Sequence, residues 1–306
     1  MTILEVLQPG PLSLIQDLGR PGWSSIGVSR SGAFDRAALA LANRIVGNPE
    51  NLAGIETVLG GLHLLAHAPM TVAVTGASGP VQLAPGSHRS RAHPVDRRSP
   101  LHLQGGDRIR IGNPDRGLRT YVAFRGGLEI QPVLGSASHD TLSGLGPPRV
   151  ATADLLPLGP QPAGSIIVDH VPIGSAPDPT APIQLEVVPG PHHHSLDGLL
   201  PIEALEMLQG APYRVEPSSD RIGIRLGGPT LPRQPGELPS APMRPGAIQV
   251  PASGQPIVLG PDAPTTGGFP VLATLTPPAL DAIGQARPGD LVRLRVLRHR
   301  TMTSMQ

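Results

Sequence analysis

The sequence contains no cysteine and no lysine, and only 2% of its 306 residues are aromatic. Without cysteine there is no disulfide, no thiolate nucleophile and no Cys-ligated zinc or iron–sulfur centre. Without lysine there is no P-loop amine for a nucleotide phosphate, no Schiff-base nucleophile and no attachment point for biotin or lipoate, so no covalent cofactor is expected. The 24 basic residues are therefore all arginine, and 23 acidic residues offset them to a net charge of +1. A nucleic-acid-binding face needs a clustered basic excess, and none is legible. The most basic stretch, residues 89–98, also carries Asp96 and has no aromatic residue. No apolar run approaches the roughly 18–20 residues that span a bilayer. A basic segment followed by an apolar one is missing from the amino terminus, so no signal peptide is expected and the expected compartment is the cytoplasm.

Proline and glycine are abundant instead, at 39 and 38 residues. The hydrophobic residues, 39% of the chain, fall in short alternating runs between Gly/Pro clusters, the pattern of a turn-rich β protein. A chain of this length suggests two domains. Strands are expected at residues 2–7, 53–58, 62–65, 70–75, 108–111 and 120–124, and again at 183–188, 222–226, 247–250, 256–259, 271–275 and 290–297. Residues 16–32 are polar and glycine-rich, too irregular for one element. The clearest helix covers residues 35–46. Ala38, Leu41, Ala42 and Ile45 fall on one face, Asp35 suits the amino-terminal cap, and Gly47 with Pro49 marks the end. Short helices fit residues 202–208 and 278–285. Residues 172–182 read as a linker, which divides the chain into a first unit at 1–171 and a second at 183–306.

The two halves share landmarks. Leu4, Glu5 and Val6 before Pro9 and Gly10 recur as Leu185, Glu186 and Val187 before Pro189 and Gly190. Gly27 and Gly32 recur at the same spacing as Gly223 and Gly228, and Gly106-Asp107 recurs as Gly289-Asp290. Their common order predicts a duplicated, closed or nearly closed β unit with one or two helices per copy, and a ligand in the cleft between copies.

Several residues have the chemistry of a site. Gln16, Asp17 and Arg20 place an amide, a carboxylate and a guanidinium beside Gly19. An arginine fork holds a carboxylate or phosphate, although an Asp–Arg pair that orders a turn is the alternative. Ser31 to Asp35 lead into the helix, where free N–H groups attract an anion unless Asp35 itself caps them. Thr75 follows a strand and has either an oxyanion or a turn role. Thr265, Thr266, Gly267 and Gly268 form a turn whose hydroxyls and amides suit a small planar oxygen ligand, with Asp262 upstream as a proton acceptor and Gln249 as a further donor. Arg125 and Arg221 are further anion-holding candidates. His192, His193 and His194 sit in a turn without ligand spacing and read as solvated. His63, His67, His88, His93 and His102 fit no standard metal site, so no metal is expected, and no G-x-S-x-G elbow is present.

These motifs resemble a known family. Gln8-Pro9-Gly10, Gln16 to Gly22, Ser31 to Asp35, Ala42-Asn43, Glu56-Thr57 and Ala73 to Ala77 match its first half. Arg125 to Gly127, Gly135-Ser136, Ser219 to Arg221, Gly246 to Pro251, Gly254 to Leu259, Thr265 to Pro270 and Pro288 to Asp290 continue the match over nearly the whole chain. The chain is thereby identified as resembling the KipA family, also called the 5-oxoprolinase C subunit, allophanate hydrolase subunit 2 or the biotin-dependent carboxyltransferase domain. The resemblance implies a mainly β fold of two cyclophilin-like β-barrel units in tandem with a few short helices. It implies one component of an ATP-dependent 5-oxoprolinase, working with a KipI-like B subunit and a LamB/YcsF-type A subunit. Alternatives within the resemblance are carboxyl transfer from carboxybiotin to urea or a related amide, and a non-catalytic regulator that binds a KipI-like partner. Mapped onto the motifs, the catalytic candidates are Asp17, Asp35 and Asp262. The substrate-binding candidates are Gln16, Arg20, Ser31, Asn43, Thr75, Arg125, Ser136, Arg221, Gln249, Thr265, Thr266, Gly267 and Gly268. The chain departs from the family pattern at Ala137, where relatives usually carry arginine, at His139, at Ala241 and across residues 149–159. The absent arginine points to a changed substrate pocket.

Overall fold

The computed structural model describes residues 2–86, 92–97, 99–166, 171, 181–193, 199–236 and 238–297. Contacts divide the chain into two compact units, Met1–Thr180 and Ala181–Gln306. The expected linker lies almost entirely outside the described residues, as do His88 and His194.

In chain order the first unit contains β1 (Ile3–Pro9), β2 (Leu12–Gln16), α1 (Arg36–Ile45), β3 (Gly54–Val58), β4 (Leu62–Ala66), β5 (Met70–Ser78), β6 (Val81–Ala84) and β7 (His93–Pro94). It continues with β8 (Leu101–Leu103), β9 (Arg108–Ile111), β10 (Arg116–Phe124) and β11 (Leu155–Pro157). A short 3-10 turn, Ser24–Ile26, precedes α1. The strands form a six-stranded sheet, β11-β1-β4-β9-β6-β7, and a five-stranded sheet, β2-β3-β10-β5-β8. Leu4, Val6, Leu62, Leu64 and Ile109 from the first sheet share one core with Ile55, Val72, Val74, Val122 and Phe124 from the second.

The five-stranded sheet is covered on its other face as well. Ala42 and Ile45 of α1, with Val46 just after it, pack on Ala73 and Ala123. This double burial is why residues 70–75 of β5 and 119–124 of β10 are buried without alternation. The helix forms as its sequence predicts. Asp35 accepts a hydrogen bond from the Ala38 amide at 2.9 Å, and Gly47 leaves the last turn at φ +70°.

The second unit contains β12 (Ile183–Pro189), α2 (Ala204–Gly210), β13 (Tyr213–Val215), β14 (Gly223–Gly227), β15 (Ala241–Pro242), β16 (Ala247–Gln249), β17 (Ile257–Leu259), β18 (Thr266–Gly267), β19 (Val271–Leu275), α3 (Pro277–Gly284) and β20 (Leu291–Val296). Seven strands close into a barrel in the order β12-β19-β16-β17-β14-β13-β20. The seam is the parallel pairing of β12 with β20, in which Ile183 meets Val292 and Val187 meets Val296. β15 and β18 form a separate two-stranded ribbon. The protein is thus mainly β, with three α-helices among the described residues.

The repeated landmarks have mixed structural meaning. Gly106 and Gly289 sit in turns of the same kind, one in each unit, at φ +92° and +94°. Asp107 accepts from the Gln104 amide and Asp290 from the Arg287 amide, each at 2.8 Å. Gly27 closes the 3-10 turn, whereas Gly223 begins β14, so the equal spacing of those two glycine pairs links a loop to a strand.

Candidate functional site

The irregular segment after β2 is ordered by close backbone packing. Gly19 and Gly32 both have positive φ, and a Cβ on either would lie within 2.7 Å of the other turn's backbone. Only glycine permits that approach. The amide of Arg20 donates to the Arg30 carbonyl and that of Ala33 to the Asp17 carbonyl, each at 2.8 Å.

Asp17 then binds this double turn to the loop after residue 133. Its Oδ1 accepts from the Gly19 amide at 2.7 Å, the Ser136 hydroxyl at 2.6 Å and the Ser138 hydroxyl at 2.5 Å. Its Oδ2 accepts from the Ala137 amide at 2.7 Å. Four donors occupy a carboxylate expected to serve as a catalytic group. Ser136 is likewise engaged, since its hydroxyl also accepts from the Ser138 amide. Gln16 donates from Nε2 to the His139 carbonyl at 2.8 Å, and Ser31 donates to the same carbonyl at 3.1 Å. Arg20 donates from Nη2 to the Ser138 carbonyl and from Nε to the Val133 carbonyl.

Ala137 itself lies in the core cluster. Nδ1 of His139 donates to the Pro147 carbonyl at 2.8 Å, which places the ring proton there in the neutral imidazole. Ser138 and Asp140 are missed by sequence reasoning. Asp140 collects the Ser29 and Ser143 hydroxyls and the Leu142 amide. Their one sequence signal is the density of Ser, His and Asp after Gly135.

A second buried network stands at the start of α1. Glu56 Oε2 accepts from the Phe34 amide at 3.0 Å and from the Tyr121 hydroxyl at 2.8 Å. The same hydroxyl accepts from the Asp35 amide at 2.8 Å. Arg119 lies 3.5 Å from Glu56 and stacks 4.4 Å from the Phe34 ring centroid. Burial, followed by the Glu56 charge, holds the Tyr121 phenol well above its ordinary ionisation range. A phenol whose folded pKa is raised gives stability that is complete below the unfolded value near 10 and lost as pH climbs through the folded one. Tyr121→Phe is therefore expected to flatten the alkaline loss of melting temperature above about pH 10, although it lowers stability at neutral pH. An unchanged alkaline slope in thermal melts would contradict this.

Three expected ligand contacts serve the fold instead. Arg125 donates from Nη1 to the Val46 carbonyl and from Nη2 to the Pro162 and Gly164 carbonyls. Asn43 donates to the Glu50 and Leu52 carbonyls and accepts from Asn48. Thr75 donates to the Ala38 carbonyl at 2.7 Å, fixing the first turn of α1. Asp35 is a cap and leaves the helix start unavailable to an anion.

In the second unit Arg221 and Asp262 form a bidentate pair at 2.8 and 3.0 Å, with side chains 3% and 0% exposed. The expected proton acceptor and the expected anion holder thus satisfy each other. Asp220, the nearer neighbour in sequence, accepts instead from the Ile222 and Gly223 amides. The Thr265–Gly268 turn is different. Gln249 Nε2 lies 3.1 Å from where a Cβ on Gly267 would sit, so the structure brings these two candidates together. Thr265 is half-buried and Thr266 exposed, and Thr266–Gly267 pairs with Ala241–Pro242. Phe269, 45% exposed, continues from this turn into the wall of a cavity of about 620 Å³ that also includes Pro251, Ile257, Leu226, Glu216 and Arg225. His192 accepts from the Val271 amide and His193 bonds the Gly190 carbonyl. Among the described residues no three His, Asp or Glu side chains come close enough to hold a metal ion, and no helix is long and apolar enough to cross a membrane.

Comparison with known proteins agrees with this architecture. Residues 26–296 match the family described as carboxyltransferase domain, subdomain A and B. The 5-oxoprolinase C subunit of Escherichia coli is 32% identical over 280 residues, 89% of this chain and 84% of that protein. The 5-oxoprolinase C subunit of Haemophilus influenzae is 30% identical over 299 residues, 96% and 91% respectively. The crystal structure of the urea amidolyase of K. lactis superposes with a TM-score of 0.87 at 28% identity, covering 97% of this chain but 19% of that larger one. By fold and by sequence the chain belongs to the carboxyltransferase-domain family that includes the 5-oxoprolinase C subunits and the urea amidolyases.

Proposed function

We propose that this chain is the C subunit of an ATP-dependent 5-oxoprolinase, opening 5-oxoproline to glutamate together with two partners, one KipI-like and one of LamB/YcsF type. The observation that carries this reading is the extent of the match. The chain covers 84% and 91% of two 5-oxoprolinase C subunits, but only 16% of a urea amidolyase at similar identity. ATP is used by the assembled complex, and no lysine-based phosphate loop exists in this chain. A second reading is carboxyl transfer from carboxybiotin to urea or a related amide, supported by the close superposition on the urea amidolyase. In that reading biotin is carried by another chain.

Either reaction develops charge on an amide oxygen, and hydroxyl and amide donors stabilise such charge. The Thr265 and Thr266 hydroxyls, with the Gly267 and Gly268 amides and Gln249, are the donors in the second unit best suited to this. The test is glutamate release from 5-oxoproline by the reconstituted complex, beside urea-dependent carboxylation with a biotin carboxylase partner. Release that needs ATP and every component is the expected result. Carboxylation of urea without any glutamate release would replace this reading with the second. In the active complex the double change Thr265→Val and Thr266→Val is expected to lower turnover about tenfold through lost hydrogen bonds, and wild-type turnover would remove those hydroxyls from the chemistry.

A further inference from the structure

Alternation along β14 decides which of its side chains leave the barrel. Ile224 and Leu226 are buried, so Arg225 between them projects from the outer face. The register sets Arg225 beside Ile257 of β17, and Ile257 beside Gln249 of β16. Adjacent strands lie about 4.8 Å apart, so Gln249 and Arg225 stand about two such spacings apart with Ile257 between them. Gln249 meets the Thr265–Gly268 turn, and the chain runs directly from that turn into Phe269. Arg225, Ile257 and Phe269 all line the cavity of about 620 Å³. One row on the barrel thus leads from amide-oxygen donors, over an apolar floor, to a cation.

Arg225 and Glu216 are the only charged residues among those lining the cavity. Glu216 lies over Gly227, its Oε1 1.9 Å from where a Cβ on that glycine would sit. Arg225 is exposed, and its backbone is bonded to Ser219 and Glu216. No acceptor among the described residues takes a hydrogen bond from its guanidinium. Arg20, Arg125 and Arg221, by contrast, are spent on backbone carbonyls or on Asp262. The cavity has the size of a small-molecule site, far more than urea fills, and urea offers nothing to an apolar wall.

We propose that Arg225 is a specificity-determining residue that holds the carboxylate of 5-oxoproline. The ring methylenes lie against Ile257 and Phe269, and the lactam oxygen turns to Gln249 and the Thr265–Gly268 donors. The carboxylate and the lactam carbonyl of 5-oxoproline flank its ring nitrogen, so one molecule presents both groups to the row. A guanidinium meets a carboxylate through two parallel hydrogen bonds. The assignment rests on the 5-oxoprolinase reading above and names the contact that sets this substrate apart from urea.

The test compares 5-oxoproline with 5-oxoprolinamide, which keeps the ring and replaces the carboxylate with a neutral amide. Both are titrated into the reconstituted complex by calorimetry, and the KM for glutamate release is measured beside them. The unmodified complex should bind 5-oxoproline about tenfold or more tightly than the amide, the scale of one charge-assisted contact. Arg225→Met should erase most of that preference and raise the KM by a similar factor, while binding of the amide and the melting temperature stay nearly unchanged. Arg225→Lys, which keeps the charge and loses the fork, should fall between them. A preference that survives Arg225→Met overturns the proposal, and so does the lack of any preference in the unmodified complex, a result that needs no variant to fold. Glutamate release with an unchanged KM in Arg225→Met would remove Arg225 and leave the proposed function standing. A carboxylate preference that Arg225→Met abolishes, in a complex that releases no glutamate, would keep the carboxylate site and remove the proposed function.

Discussion

Replacing Asp17 with alanine is expected to lower the stability of the first unit by about 3–5 kcal/mol, because it strands several buried donors at once. The carboxylate holds two backbone amides, Gly19 and Ala137, and two hydroxyls, Ser136 and Ser138. Asp17→Asn keeps the shape and loses less, since one oxygen still accepts and only the position taken by the amide nitrogen opposes a donor. Urea denaturation followed through Trp23 reads this unit directly, because the indole is bonded to the loop that Asp17 fixes. A loss below about 1 kcal/mol, within the reach of an ordinary single hydrogen bond, would mean that the loop finds other support.

Arg221→Met carries a comparable expectation in the second unit. It leaves Asp262, which is fully buried, without its bidentate partner, and breaking such a pair typically costs about 3–5 kcal/mol. Asp262→Leu alone removes the guanidinium's buried bidentate acceptor at similar cost. In a double-mutant cycle the two changes together should cost clearly less than their sum, with a coupling of about 2 kcal/mol or more. Additive losses would show that each residue answers chiefly to other neighbours. If Arg221 held a substrate anion instead, a surviving variant would show a raised KM with little change in melting temperature.

Much of this fold was legible in the sequence, for reasons that differ by element. Helix α1 has a full apolar face, its own cap at Asp35 and a stop at Gly47, so local chemistry alone defines it. β5 and the end of β10 carry short apolar stretches, Val72 to Val74 and Tyr121 to Phe124, because both of their faces are covered. β8 and β13 have three residues each, too few for alternation to emerge, and β2 follows so closely on Pro11 that it merges with the irregular segment after it. The glycine spacing misled at Gly27 and Gly223 because spacing carries no information about φ.

The site shows the same division. Gln16, Asp17 and Arg20 announce themselves by composition within five positions. Their partners at Ser136, Ser138 and His139 lie more than a hundred residues away, and no local pattern links them. Composition also could not distinguish an arginine open to a ligand from one spent on backbone carbonyls, which is how Arg20 and Arg125 came to stand among the candidates and Arg225 did not. Asp220 is the sequence neighbour of Arg221, yet the guanidinium pairs with Asp262, 41 positions further on, while Asp220 accepts from the Ile222 and Gly223 amides, a choice that no local pattern shows.

The seam of the barrel has a bearing on synthesis. β12 is the first strand of its unit and β20 the last, and they meet side by side. Its other neighbour, β19, is also made late, so while the ribosome adds the residues between them β12 has no neighbour on either edge until β19 emerges, and its seam edge stays open until β20 does. Ring closure is among the most non-local steps the unit can make, and such steps are slow. An open edge in a nascent chain is a template for unwanted pairing with other strands. The exposed charge on this pair, Glu186 facing Arg295 at 4.0 Å across the seam, is the kind of marking that favours the right neighbour over a stray one.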